Sequence, residues 1–261
     1  IPKRDWSSDV CSSDLIDNLT RVTAEKERIG AELNVAATIQ QSMLPCIFPA
    51  FPERDEFDIY ATMLTAKEVG GDFYDFFLID DTHLGLVMAD VSGKGVPASL
   101  FMVIAKTLIK NHAQLGESAA EIFTNVNEQL CEGNEAGMFV TAWLGILDIG
   151  SGCLSYANAG HNPPIFRRGG GAYEYLHCRP GFVLAGMEGI KYRQAELMLA
   201  PGDRLYLYTD GVTEATNAAE ELYGEARLLQ VLNQSGSQPL TAVLGLIQAD
   251  IDGFVGEAPQ F

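Results

Sequence analysis

The chain has 261 residues, 47% of them hydrophobic, and a chain of this size buries roughly 70–75% of its unfolded surface, which excludes overall disorder. Lysines and arginines number 17 against 35 aspartates and glutamates, and the net charge of −18 repels nucleic-acid phosphates and anionic lipid alike. The five cysteines, Cys11, Cys46, Cys131, Cys153 and Cys178, lack any C-x-x-C spacing, so neither a disulfide framework nor a zinc site is indicated and a reducing, cytoplasmic setting fits.

Residues 5–15, DWSSDVCSSDL, read unlike the rest of the chain and match one translated frame of a common sequencing adapter. Segment 1–15 is therefore expected to be non-native and is set aside from fold reasoning. From Leu15 onward, apolar or small residues recur in steps of four and three at Leu19, Val22, Ile29, Leu33, Ala36 and Met43, which predicts a linker helix over 16–44. The seam fits two arrangements, a helix packed on its own domain or a parallel homodimeric coiled coil. Pro45, Pro49 and Pro52 end the helix.

Strand-rich segments are predicted at 57–64, 73–79 and 84–91, the last two joined by a turn at Asp80-Asp81-Thr82. Helical spacing covers 98–112 and 118–131, with Pro97 near the first start. A second strand-rich block at 139–147, 153–157, 165–168, 173–176 and 205–208 is punctuated by glycines, and helical spacing returns at 226–232 and 239–251. Two antiparallel sheets face to face with helices outside, an αββα sandwich of the α+β class, is the arrangement that buries all of these stripes. No stretch is long and apolar enough to cross a bilayer: the most apolar, 101–109, is short and broken by Lys106.

Three aspartates stand where apolar strand patterns begin or end: Asp72 in Val69-Gly70-Gly71-Asp72, Asp90 in Met88-Ala89-Asp90-Val91, and Asp210 in Tyr208-Thr209-Asp210-Gly211. Any one alone fits a turn; the repetition points to a shared site. Hard divalent cations such as Mg²⁺ or Mn²⁺ take oxygen ligands, and no histidine or cysteine cluster competes for the role. A pair of such ions about 3.5–4 Å apart suits hydrolysis of a phosphomonoester. The string GGDF also suggests a cyclic-dinucleotide cyclase, yet Phe73 stands where that signature requires an acidic residue.

The ordered motifs GGDFYDF, ADVSGKGVPA, NAGHNPP and LYTDGVTEA resemble the SpoIIE/RsbU-like branch of the bacterial PPM (type 2C-like) serine/threonine protein phosphatases, over roughly Ile39 to the end. The resemblance implies a phosphatase domain over 45–261 and two Mn²⁺ or Mg²⁺ ions. Asp90 would bridge the metals, Val91 would offer its backbone carbonyl, Asp72 and Asp210 would each hold one ion, and Asp75 would be an outer partner. His161 is given a structural role, in a loop tied by a side chain to its own backbone. The implied substrate is a phosphorylated STAS-type regulatory protein of sigma-factor signalling, with an upstream sensor or receiver domain acting through the N-terminal helix. In that family a further strand with paired aspartates comes after the point corresponding to Phe261, so the domain is expected to be truncated before its last metal-ligand strand. The rival reading is a pseudophosphatase that binds a phosphoprotein without turnover.

Overall fold

A computed structural model describes the backbone of residues 6–64 and 69–258, and side chains from residue 15 onward. Residues 1–5 of the suspected non-native segment and the final residues 259–261 lie outside the described residues.

A long helix, α1 (Trp6–Ser42), leads into β1 (Phe73–Leu78), β2 (His83–Val91), α2 (Val96–Gln114), α3 (Ala119–Cys131), β3 (Val140–Asp148) and β4 (Cys153–Ala159). Then come β5 (Ile165–Arg167), β6 (Tyr173–Tyr175), β7 (Gln194–Met198), β8 (Arg204–Tyr206), α4 (Asp210–Thr213), α5 (Gly224–Ser235) and α6 (Leu240–Val255). The strands form two antiparallel sheets, one ordered β1-β2-β3-β4-β7 and the other β6-β5-β8. With helices on both outer sides, this is the α+β sandwich read from the sequence.

Alternation along the strands explains the layering, because successive side chains face opposite sides of a sheet. In β3, Val140, Ala142 and Leu144 join the core beneath α2 and α3, while Trp143 turns the other way. There Trp143 stacks on Tyr156 at 5.8 Å between ring centroids and meets Leu205 and Leu207 at the start and flank of the second sheet. Gly145 is required at this point: a Cβ would lie 2.4 Å from the Trp143 ring. A third cluster packs Ile165 and Tyr173 against Leu228, Leu232, Val243 and Ile247 of α5 and α6.

Local signals set the helix boundaries. Pro97 occupies the first turn of α2, and Ser118 caps α3 in a reciprocal box with Glu121. Among the described residues, no helix is long and apolar enough to cross a membrane.

One expectation needs correction, and two features lay outside the sequence reading. Segment 57–64 forms no strand among the described residues; Ile59, Ala61 and Met63 lean on the core while their neighbours are exposed, so packing of an extended segment produces the alternation. Strand β7 has no such signal because four of its five residues are exposed at the sheet edge. Asp210 opens the one-turn helix α4 rather than a hairpin turn.

Helix α1 is covered only near its end. Leu15, Leu19, Val22 and Ile29 of the predicted seam are exposed, and Gln40 is the first buried residue of the described side chains.

One buried ion pair joins layers. Lys106 of α2 donates to Asp75 of β1 at 2.6 Å, with side chains 10% and 3% exposed. Removing one member leaves the other charge uncompensated, so Lys106→Ala is expected to destabilise the fold by about 3–5 kcal/mol in urea titrations. The double replacement Asp75→Leu with Lys106→Met is expected to recover most of that loss.

Candidate active site

The β1–β2 register pairs Phe73 with Ala89, so the next position outward sets Asp72 against Asp90, and on its other side Asp90 pairs with Thr141 of β3. By alternation both aspartates face the second sheet, opposite to Asp75. Gly71 makes the approach feasible: a Cβ there would lie 2.7 Å from the Val91 carbonyl oxygen. Its requirement is space, since its φ is not among the positive values. Val91 thus turns its carbonyl toward the loop that carries Asp72.

Asp72 and Asp90 are neighbours at the ends of paired strands, close enough for the first to act on the ionisation of the second. Burial, the neighbouring Asp72 carboxyl, and the charges of Asp210 and Glu214 push Asp90 up to about 9. Thr209 donates its hydroxyl to Asp72 Oδ2 at 2.7 Å, linking the segment after β8 to the loop before β1. Asp210 is also raised, by burial first and then by Glu214 and Asp72, against lowering by the Gly211 backbone and Lys94.

The sequence-predicted residues are therefore brought together unequally. Asp72 and Asp90 stand side by side at adjacent strand ends, Val91 sits beside them, and Asp210 lies within range of their charge. Among the described residues, no three acidic, histidine or cysteine side chains converge as a ready cage for one ion. Asp75 is not an outer partner of this group; it faces α2 and holds Lys106.

Two contributors escaped the sequence reading, and a third residue was read only as part of a loop. Glu214 lies one helical turn beyond Asp210, a spacing visible in LYTDGVTEA once α4 is known to be helical. Lys94 brings a positive charge from a loop whose flanking Gly93 and Gly95 have φ of 86° and 76°. His161 is buried, and that burial pushes its imidazole down to about 4 against the raising effects of the Tyr208 backbone and Asp72. The expected loop tie is present: Asn158 Oδ1 accepts from the His161 amide at 2.7 Å, and Asn158 Nδ2 donates to the His161 carbonyl at 3.0 Å.

The solved SiaA-PP2C domain of Pseudomonas aeruginosa has the same fold, with a TM-score of 0.77 and 24% identity over 91% of this chain and 94% of that one. The sandwich is therefore that of PP2C-type domains. The family model for Stage II sporulation protein E (SpoIIE) matches residues 80–260, and the chain belongs to that family. It is 31% identical over 257 residues to Protein IcfG of Synechocystis sp., covering 88% of this chain and 40% of that protein. Identity to the phosphoserine phosphatase RsbU of Bacillus subtilis is 30% over 189 residues, 72% of this chain and 55% of that protein. The chain thus spans about half the length of the curated relatives it matches.

The Asp90 proton gives a measurable signature. Folded protein keeps a proton that the unfolded chain loses above a pH of about 4, so stability falls as pH rises toward about 9. In excess EDTA, the melting temperature is expected to drop between about pH 6.5 and 8, above the window in which His161 titrates. Asp90→Asn is expected to flatten that slope and to exceed the wild type in stability at the upper end. Thermal melts across the range check both.

Proposed function

We propose that this domain hydrolyses phosphoserine or phosphothreonine on a regulatory protein, using divalent cations held by Asp72, Asp90 and Asp210 with the Val91 carbonyl. The observation that carries the reading is the register that sets Asp72 beside Asp90 at adjacent strand ends, within range of the charges of Asp210 and Glu214. Carboxylates crowded until one retains a proton at neutral pH are a donor set that a hard dication relieves, so these residues fit Mn²⁺ or Mg²⁺. When bound, such ions lower the pKa of a coordinated water and offset charge on a phosphoryl group. Magnesium is named with the solved structure of RsbX, which shares this fold at 18% identity and a TM-score of 0.54.

The chain's own groups have distinct tasks on this proposal. Asp90, raised by burial and by its acidic neighbours, would surrender its proton when the site is loaded. Thr209 keeps Asp72 from rotating out of register. Lys94 offers a cation at the rim of an otherwise acidic site, where an incoming phosphate dianion needs one. The substrate class is supported by RsbU and RsbP, both named phosphoserine phosphatases, and by the match to the RsbU and RsbW domains of Rv1364c from Mycobacterium tuberculosis. A phosphorylated STAS-type antagonist in the cytoplasm is the proposed partner.

The absence of a three-residue cage among the described residues favours the rival, a phosphoprotein-binding module without turnover. Calorimetric Mn²⁺ titration and phosphoserine-peptide turnover, on this chain and on one extended past Phe261 to include the expected aspartate strand, separate the two. Saturable Mn²⁺ binding with turnover in the extended chain is expected. Asp210→Asn is expected to lower kcat by about 100-fold or more, and Lys94→Ala to raise KM with a smaller effect on kcat. Metal binding without turnover in the extended chain would establish the rival.

Segment 16–44 is proposed as the linker helix that carries a sensor's signal into the phosphatase domain, with its exposed seam available for homodimerisation. Its inner end supports this: Gln40 Nε2 donates to the Gly70 carbonyl at 2.7 Å, and the Gly70 amide donates to Gln40 Oε1 at 3.2 Å. Gly70 is two residues from Asp72. Gln40→Ala is expected to weaken Mn²⁺ affinity by about 10-fold while leaving the circular dichroism spectrum unchanged, as outer partners of metal sites do.

A further inference from the structure

Phe139 stands exposed beside the site on a stretch of backbone that is held at every group. Along β3 and the residues before it, Met138, Val140 and Ala142 pack into the core beneath α2 and α3, while Trp143 faces the second sheet. Alternation therefore sets Phe139 and Thr141 on the Trp143 face. Thr141 is the register partner of Asp90, which makes Phe139 the diagonal neighbour of Asp90 across the β2–β3 pair, roughly 7–8 Å away. In this row Trp143 lies in the apolar middle, Thr141 opposite Asp90, and Phe139 at the open end with 41% of its surface exposed.

Exposed apolar side chains are common and by themselves mark nothing. Phe139 differs in how the backbone around it is fixed. The Met138 amide donates to Asn134 Oδ1 at 3.1 Å, and the Met138 carbonyl accepts from Asn134 Nδ2 at 2.7 Å. The Phe139 amide donates to Ser92 Oγ and its carbonyl accepts from the Ser92 amide, both at 2.9 Å. Val140 exchanges both of its backbone groups with Leu184, at 2.9 and 2.8 Å. Consecutive backbone groups are thus tied to three separate segments, and no tie uses the ring, which joins none of the apolar clusters of the described residues. Ser92, the partner of Phe139, also lies in the wall of the cleft that contains Asp72, Asp90, Lys94 and Asp210. An aromatic surface is therefore preorganised at the rim of that cleft, and a ligand covering it need not order the backbone beneath.

We infer that Phe139 is a specificity-determining residue: its ring receives an apolar side chain next to the phosphorylated residue of the protein substrate. Two residues of extended chain span about 7 Å, so a peptide whose phosphoryl group reaches Asp90 carries the side chain of a flanking residue over the ring. This rests on the proposed phosphoserine site and adds what the substrate presents beside its phosphate.

Two phosphoserine peptides test the inference, one with leucine on each side of the phosphoserine and one with glycine there, titrated in Mn²⁺ against this chain and the chain extended past Phe261. Preference is read as the ratio of kcat/KM where phosphate is released and as the ratio of dissociation constants where it is not. The wild type is expected to favour the leucine peptide by about 10-fold, the scale set by burying the exposed part of one phenylalanine ring. Phe139→Ala is expected to bring the ratio within about 2-fold of unity. Phe139→Leu, whose side chain stays apolar, is expected to retain a ratio of about 3, which separates loss of the ring from loss of the fold. A wild type indifferent to the flanking residues, a ratio unchanged in Phe139→Ala, or no binding of either peptide overturns the inference. A leucine preference that needs Phe139 but comes without phosphate release sinks the hydrolytic reading alone, whereas release at equal rates from both peptides sinks this inference alone.

Discussion

Two carboxyl groups facing each other across adjacent antiparallel strands, half out of water, are the constraint around which this domain is arranged. Like charges at such range repel by roughly 4 kcal/mol at an effective dielectric near 20, so both cannot stay ionised without compensation. Burial and the surrounding acidic groups therefore push Asp90 upward, toward keeping its proton. Neighbouring choices stem from holding that pair: glycine at 71, because the loop passes within a Cβ of the Val91 carbonyl, and threonine at 209, because Asp72 needs a donor from the far sheet. A single strand pair could have set two aspartates together; it could not have brought Asp210.

That third residue depends on the packing between sheets. Trp143 and Tyr156 on one sheet meet leucines beside β8 on the other, and this apolar filling fixes the separation of the layers. Gly145 is part of the same device, since any side chain there would displace the indole and push the sheets apart. The seam is therefore apolar in its middle and acidic at the end where β1, β2 and the segment after β8 meet. Burial of the carboxylates and the hydrophobic spacing of the sheets are two outcomes of one arrangement, and a cavity opened at Trp143 would be felt at Asp210. Strand β8 pairs with β5 alone among the described residues, so its other edge faces the cleft next to the acidic end.

Much of this could be read from residue order because strong local signals agreed with the tertiary outcome. Alternation in 84–91 and the helical spacing of 98–112 each report a face packed on the core, and β2 and α2 bear them out. Where a signal was absent or had another cause, reading failed. Residues 57–64 alternate because they lie along the core, and backbone pairing leaves no trace in side-chain pattern. Edge strand β7 buries almost nothing, so its sequence QAELM carries no period. Asp72, Asp90 and Asp210 announced themselves by repetition at strand ends, whereas Glu214 needed the knowledge that Asp210 opens a helical turn. His161 was legible only as a loop residue, since its neighbours Thr141 and Asp72 are distant in sequence.

The two-point bond between Gln40 and Gly70 bears on how such a site could answer a distant event. A helix turning by one residue rotates its side chains by about 100°, which would carry the Gln40 amide away from both backbone groups at once. Those groups belong to the residue before Gly71, and Gly71 is held against the Val91 carbonyl with no slack, so the loop cannot absorb the loss by shifting toward β2. The direction left open is outward, away from Asp90. On the proposed reading, whatever fixes the rotation of α1, whether a second copy on its exposed seam or an upstream module, also fixes whether the aspartates stay side by side.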